Sequence, residues 1–369
     1  MNVFTSVQRP TLLLDEEQAK RNIRFMAEKA KAQSVRFRPH FKTHQSAEIG
    51  QWFREAGVKK ITVSSVSMAS YFIQHGWRDI AIAFPVNWRE IDEINRLADH
   101  NHLELLVESP ETARFLQDRL KLLADVWIKI DVGSHRAGIW WENQEEIEQL
   151  VKVILGCKQL ILRGFLAHAG QTYHANSSNE IQAIYQDVMH HLNAVNKWFE
   201  ESQKAGFEIS VGDTPGCKLS ANLGNVDEIR PGNFVFYDAT MLNLGVCQPE
   251  EIAVAVACPV VAKHPQRLEA VIYGGAVHLS KEFMLKDGNP IYGLVASIEN
   301  ERWGAPLNGC YVSSLYQEHG IVKLSEQVFN RVNIGDLLCI IPIHACLTAA
   351  ALGHYLTLTG RHTEMMPKS

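Results

Sequence analysis

Short apolar, β-branched runs alternate with amphipathic stretches through the first two thirds of the chain. The runs are 35–41 (VRFRPHF), 61–65 (ITVSS), 80–86 (IAIAFPV), 103–109 (LELLVES), 126–133 (VWIKIDVG), 160–168 (LILRGFLAH), 208–214 (EISVGDT) and 229–237 (IRPGNFVFY). Between them the period is helical. Ile91, Ile94 and Leu97 fall on one face, and a longer helical pattern runs from about 178 to 204. Strand and helix alternate about eight times, which predicts a (β/α)8 barrel of the TIM type over residues 15–245.

After about residue 245 strand-like runs follow one another without long helices: Ile252–Val261, Leu268–Tyr273, Ile291–Ile298, Tyr311–Leu315 and Leu337–Ile343. Asp287-Gly288-Asn289-Pro290 and Asn333-Ile334-Gly335-Asp336 are turn signals. The segment 246–369 therefore reads as a second, mainly antiparallel β domain. Thr11-Leu12-Leu13-Leu14 lies outside the barrel count and is expected to join residues 1–14 to that domain. The polar tail from about Arg361 is expected to be disordered.

Composition narrows the function classes. The 369 residues suffice for two domains with cores, and 46% hydrophobic with 21% charged residues is ordinary for a globular enzyme. With a net charge of −5 and no basic stripe, no nucleic-acid partner is expected. No stretch approaches the ~20 apolar residues of a membrane helix. Met1–Thr5 shows no charged segment leading into an apolar core, so no signal peptide is expected. Seven scattered cysteines, an odd number, do not form a disulfide framework and suit a reducing cytoplasm.

Catalytic groups of such barrels sit at the C-terminal strand tips. Lys42 ends the first, in Arg38-Pro39-His40-Phe41-Lys42-Thr43-His44. A lysine there can form a Schiff base with an aldehyde cofactor; otherwise it is a surface lysine. Asp131–Arg136 follows the fifth strand, His168–Tyr173 the sixth and Gly212–Gly216 the seventh, while Arg230–Asp238 spans the eighth. Thr214 with its glycines, and Gly232-Asn233, offer backbone N–H groups and a hydroxyl to a phosphate, or form ordinary turns. Arg136 is either a solvated charge or a guanidinium against a cofactor ring. An arginine keeps its proton, so it would not protonate a ring nitrogen. His168 and Tyr173 could stack on the ring or bond to it, or simply fill the wall; Tyr237 is counted with the cofactor contacts. His40 shares the face of Lys42.

The other distinctive element is Ile341-Pro342-Ile343-His344-Ala345-Cys346. At i and i+2 of an extended segment, His344 and Cys346 point to the same side. Imidazole and thiolate suit a borderline-soft ion such as zinc, and two protein ligands leave positions open for water or substrate. The spacing alone is weak and is equally met by packing. His319, in Gln317-Glu318-His319-Gly320, would hold the metal's water or orient His344, or is a turn histidine.

R-P-H-F-K-T-H resembles the pyridoxal-phosphate lysine motif of the D-serine dehydratase and D-threonine aldolase family, the alanine-racemase-like enzymes of fold type III. D-V-G-S-H-R-A-G, L-A-H-A-G-Q-T-Y, G-D-T-P-G, I-R-P-G-N-F-V-F-Y-D, E-H-G and P-I-H-A-C follow in family order, so the resemblance spans nearly the whole chain. It implies a cofactor barrel plus a β domain, usually as a homodimer. It implies that Lys42 is the Schiff-base lysine, Arg136 the arginine near the ring and Tyr173 an active-site tyrosine. Thr214, Gly232 and Asn233 are implied as phosphate contacts, and His344 with Cys346 as the metal pair absent from racemases. Members often carry G-S-T-P-T where this chain has Gly212-Asp213-Thr214-Pro215-Gly216, so one threonine is missing.

The expected activity is elimination of water from a β-hydroxy D-amino acid by a pyridoxal-phosphate- and metal-dependent lyase, with Lys42, Tyr173 and His319 as catalytic residues. The product is a 2-oxo acid with ammonia. Within the resemblance, a cysteine after His-x looks like the zinc dehydratases and a carboxylate like the aldolases. Retro-aldol cleavage to glycine and an aldehyde is the nearest alternative. Racemisation and non-catalytic cofactor binding are more distant ones.

Overall fold

Every one of the eight predicted barrel runs forms a parallel strand, and two of them end on a serine that caps the following helix. The computed structural model describes residues 3–203, 206–299 and 301–367. In chain order the first strands are β1 (Thr11–Leu14), β2 (Arg36–Phe37), β3 (Ile61–Val63), β4 (Asp79–Pro85), β5 (His102–Val107), β6 (Ala124–Asp131), β7 (Ile139–Trp140), β8 (Leu160–Ala167), β9 (Glu208–Val211) and β10 (Glu228–Ile229). The barrel sheet runs β2-β10-β9-β8-β6-β5-β4-β3, with β7 attached to β6. His40 closes the ring with a parallel bridge to Thr62 on β3. Phe41 N–H donates to the Thr62 carbonyl (2.8 Å) and Thr62 N–H to the Pro39 carbonyl (2.9 Å). Caps recur between strand and helix. Ser65 accepts from Met68 N–H (3.1 Å), and Ser109 from Thr112 N–H (3.2 Å). Such caps satisfy helix N–H groups that have no partner within the helix.

The first and last runs keep only two residues each as strand. The last stops at Ile229 instead of continuing to Tyr237, because Pro231 lacks an N–H and Asn233–Val235 winds into a 3-10 turn. The first is interrupted by Pro39, although Arg38 and His40 N–H groups still reach Ile229 and Pro231 carbonyls at 3.0 and 2.9 Å.

Part of the barrel interior is ionic. Buried Arg38 donates from Nε to Glu228 (2.8 Å), from Nη1 to Asp79 (2.7 Å) and from Nη2 to Glu104. Glu228 accepts from Ser210 Oγ (2.8 Å), and Ser210 Oγ accepts from Arg230 Nε (2.8 Å). This chain of charges inside the barrel is fully paired, as a buried network must be.

Contacts divide the chain into two units. The barrel unit comprises Phe25–Lys42 and Phe53–Gly232, so one cut falls between Lys42 and Thr43. The second unit takes the N-terminal segment up to Arg24, Thr43–Trp52 and the chain from Asn233 onward. Its further strands are β11 (Val254–His264), β12 (Glu269–Tyr273), β13 (Met284–Lys286), β14 (Asn289–Ile291), β15 (Gly293–Glu299), β16 (Arg302–Leu315), β17 (His319–Lys323), β18 (Leu337–Pro342), β19 (His354–Thr357) and β20 (His362–Glu364). They run β12-β17-β16-β15-β18-β11, and β11 also pairs with β12, closing an antiparallel barrel. Strand β1 pairs antiparallel with β11 (Leu12 opposite Val256) and parallel with β19. Asp287 and Gly288, at φ +51° and +78°, form the tight turn between β13 and β14. The tail is not disordered from Arg361. Arg361 pairs with Glu16, and β20 packs on β19 with Thr363 buried, because alternation gives this short polar segment one inward position. Residues 368–369 of that predicted tail lie outside the described residues. No helix among the described residues is long and apolar enough to cross a membrane.

Candidate active site

The barrel unit gathers cations at its strand tips. Lys42 follows the bridging residue His40, and its backbone N–H donates to His40 Nδ1 (3.3 Å). A neutral imidazole has one donor and one acceptor nitrogen, so the proton of His40 lies on Nε2. His168 Nδ1 bonds the Gly212 carbonyl. A carbonyl only accepts, so His168 carries its proton on Nδ1 and presents Nε2 as a lone pair. Burial, then the charge of Lys42, hold both imidazoles well below their ordinary pKa. Arg230 and Arg136 add to the effect on His40, and Lys129 and Arg136 to that on His168. Burial, then Arg230 and Arg136, pull the buried Lys129 down to about 7, against Asp131 and Glu108. Burial lowers Arg230 to about 10. Lys42 and Arg136 thus act on both neutral histidines, Arg230 on His40 and Lys129 on His168.

Arg136 is carried on a loop with a fixed shape. Asp131 Oδ1 accepts from the N–H groups of Gly133, Ser134 and His135 at 3.0, 3.0 and 3.1 Å. Gln171 Nε2 ties the same loop through the Val132 carbonyl (3.0 Å).

The next two tips are joined. Tyr173, in the 3-10 turn Gly170–His174, accepts from Thr214 N–H through its hydroxyl (3.2 Å). Its ring centroid lies 6.1 Å from that of His168. Asp213 caps the short helix Thr214–Leu219, accepting from Gly216 N–H (2.5 Å) and Thr172 Oγ1 (3.0 Å). Burial pushes its carboxyl up to about 6. A Cβ on Gly216 would stand 2.5 Å from the Tyr185 ring and 2.8 Å from the Asp213 carboxylate. That crowding explains the missing threonine: Tyr185 and Asp213 occupy its space. Gly232 ends the barrel unit, beside the Pro231 carbonyl that accepts from His40 N–H.

The remaining predicted residues lie in the second unit. Asn233 is buried, and its amide nitrogen donates to Asp238 Oδ2 (2.6 Å). That bond uses one of the two N–H donors of the amide. Tyr237 is buried at φ +49°, a left-handed conformation unusual for an aromatic residue, just before Asp238. Burial drives its phenol well above the ordinary range. His319 is exposed at the first position of β17, opposite Tyr273 of β12, and stacks on Tyr316 with centroids 4.9 Å apart.

His344 and Cys346 do not share an extended segment. Strand β18 stops at Pro342, His344 occupies the N-cap position, and Cys346 lies in the first turn of the helix Ala345–Leu352. The alanine-rich sequence after His344 favours helix, so the two-residue strand rule does not govern this pair. The turn is nevertheless fixed. Ala345 N–H donates to Asp238 Oδ2 (3.0 Å), Thr240 Oγ1 to the Ile343 carbonyl (2.8 Å), and Cys346 Sγ lies 3.3 Å from Thr43 Oγ1.

Sequence reasoning passed over Lys129, Arg230, Asp238 and Thr43. For Lys129 a signal existed: Trp127, Lys129 and Asp131 alternate on one face of β6, so the lysine enters the barrel with them. A cavity of about 470 Å3, lined by Pro85, Leu106, Glu108, Ile139, Trp140 and Glu146 among others, contains none of the predicted site residues. Among the described residues, Asp79, His102 and Glu104 bring potential metal-binding atoms within 4.8 Å of one another. Asp79 and Glu104 already pair with Arg38, and Asp79 also with Lys60 (2.9 Å), so the cluster is an ion-pair network.

Comparison with known proteins agrees with this architecture. The family model "Alanine racemase, N-terminal domain" matches residues 14–240, and a serine dehydratase domain model matches residues 253–358. The D-threo-3-hydroxyaspartate dehydratase of Delftia sp. (strain HT23) is 28% identical over 97% of this chain and 96% of its own. Its solved structure superposes with a TM-score of 0.90 at 26% identity over 100% of both chains. Two variants of that protein replace a histidine and a cysteine two positions apart, and the cysteine variant is the metal-free form. D-serine dehydratase of Dictyostelium discoideum is 27% identical over 95% of this chain and 93% of its own. D-threonine aldolase from Filomicrobium marinum, 20% identical over 97% of this chain and 95% of its own, shares the fold with a TM-score of 0.82. These relatives are lyases by name, and pyridoxal phosphate fits their fold. The chain belongs to the alanine racemase N-terminal domain family, with a serine dehydratase domain after its barrel.

Proposed function

We propose that this protein is a pyridoxal-phosphate- and zinc-dependent lyase that removes water from a β-hydroxy D-amino acid to give a 2-oxo acid and ammonia. The observation that carries the proposal is the anchored His344–Cys346 turn, with the cysteine sulfur against Thr43, the residue bonded to Lys42. A racemase or a cofactor carrier has no use for such a pair. The spacing also equals that of the histidine and cysteine replaced in the Delftia dehydratase, whose cysteine variant is metal-free.

Both groups fit the residues present. Four cations that depress two neighbouring histidines suit an anionic, phosphate-bearing cofactor. Imidazole and sulfur donors on one braced turn suit zinc, which when bound would act as a Lewis acid on a substrate β-oxygen. Pyridoxal phosphate, when bound, supplies an electron sink for charge at the substrate α-carbon.

The chain's own residues divide the remaining work. Lys42 would hold the cofactor covalently and take the α-proton as general base. Lys42 is flanked by histidines kept neutral, which do not compete with it as acids. Arg136, on its Asp131-braced loop, would face the cofactor ring, and His168 would pack on it. Tyr173, fixed by Thr214 N–H, presents its phenol toward the reacting groups. The hydroxyl of Thr214 and the backbone of Gly232-Asn233 would hold the phosphate, and Tyr237 shapes the turn into Asp238. His319, on its exposed hairpin, is assigned a role in orienting the leaving oxygen.

The protein works as a homodimer on this reading, which the exposed Phe283, Leu285 and Tyr316 of the second unit support. Seven free cysteines support a cytoplasmic location.

Turnover of D-serine, D-threonine and D-threo-3-hydroxyaspartate tests the proposal, with products identified by mass. A 2-oxo acid with ammonia is expected, lost on chelation and restored by zinc. Glycine with an aldehyde would assign retro-aldol cleavage, and activity confined to L-isomers would overturn both readings.

A further inference from the structure

We infer that Thr43 is a positioning residue for the metal pair: its hydroxyl hydrogen-bonds the Cys346 sulfur and holds it in the geometry that binds zinc. The inference rests on the metal reading above and adds a residue to it.

Residues 343–346 pass from β18 into a helix, and three contacts within the second unit fix that passage. Thr240 Oγ1 donates to the Ile343 carbonyl (2.8 Å), Asp238 Oδ2 accepts Ala345 N–H (3.0 Å), and Thr43 Oγ1 lies 3.3 Å from Cys346 Sγ. Asp238 is itself braced by Asn233 Nδ2 (2.6 Å) and Met241 N–H (3.0 Å). The first two contacts set the backbone. Only the third reaches a donor atom of the pair.

Thr43 is 0% exposed and Cys346 8%, so little water competes for this contact. A sulfur bound to a metal carries no proton, and the hydroxyl then turns to donate to it. Such outer contacts set a ligand's orientation, and losing one typically weakens metal affinity by about 10- to 100-fold.

The experiment uses full-length holoenzyme stripped of metal and titrated with zinc against a chromogenic chelator. Cofactor absorbance per chain and a thermal melt serve as folding controls. Wild type is expected to bind one zinc per chain, and Cys346→Ala none. Thr43→Val, which keeps shape and loses the hydroxyl, is expected to bind about 10- to 100-fold more weakly. Thr43→Ser, which keeps the hydroxyl and loses a methyl, is expected to lie near wild type. Two results would overturn the inference while leaving the metal reading intact. One is Thr43→Val binding zinc like wild type while Cys346→Ala does not. The other is Thr43→Ser binding as weakly as Thr43→Val, which would make the effect one of packing. Equal binding by wild type and Cys346→Ala would remove the metal reading and this inference together.

Discussion

Lys42 and Lys129 act on the same histidine, yet they differ in what surrounds them. Lys129 is buried in the barrel and bonded to the Ile130 carbonyl (3.1 Å), whereas Lys42 stands past the end of its strand. Borohydride reduction of the holoenzyme should therefore leave the cofactor's mass on the peptide containing Lys42; mass on the Lys129 peptide would contradict the assignment. Asp213 gives a second prediction. Its folded pKa, about 6, lies above the ordinary 3.8, so the folded state binds this proton more tightly than the unfolded chain. Its contribution is complete below 3.8 and is lost as pH rises through 6, to a limit of about 3 kcal/mol. Asp213→Asn keeps a cap for Gly216 N–H and removes the titration. Melts at pH 4 and pH 8 should show wild type losing more stability than the variant; equal losses would sink this account. The types and order of the site residues were legible in the sequence. Their partners were not: Asn233 and Asp238 meet across a 3-10 turn, and Thr43 and Cys346 across the fold.

At the scale of elements, the strand-to-helix passages carry most of the chemistry. Those of the barrel were legible, because a β-branched run followed by Ser, Asn or Asp signals a strand and then a cap. The passage at His344 was not, since Pro342 hid the strand end and the residue spacing suggested continued extension. The Gly216 passage shows how one element constrains another. Tyr185 on the helix Ser178–Gln203 donates its hydroxyl to the Leu223 carbonyl (3.0 Å) and closes the space above Gly216. Gly216→Thr, which restores the residue common in the family, should destabilise the protein by about 1–3 kcal/mol through overpacking. Urea unfolding measures this. An unchanged midpoint would mean that Tyr185 moves aside without cost.

At the scale of the whole molecule, the alternation of strand and helix foretold the parallel barrel, and the later change of texture foretold antiparallel pairing. The ionic interior did not show, because Arg38, Glu104 and Glu228 come from strands far apart in sequence, and only closure of the barrel brings them together. The same closure brings the charge of Arg230 to bear on His40 and that of Lys129 on His168. The account's central claim is that this assembly performs elimination begun by loss of the α-proton to Lys42. The most direct test follows α-deuterated D-serine, or the preferred β-hydroxy D-amino acid, through turnover. The account predicts slower turnover or loss of the label, with a 2-oxo acid and ammonia as products. Glycine that retains the α-deuterium, formed together with an aldehyde, would contradict it.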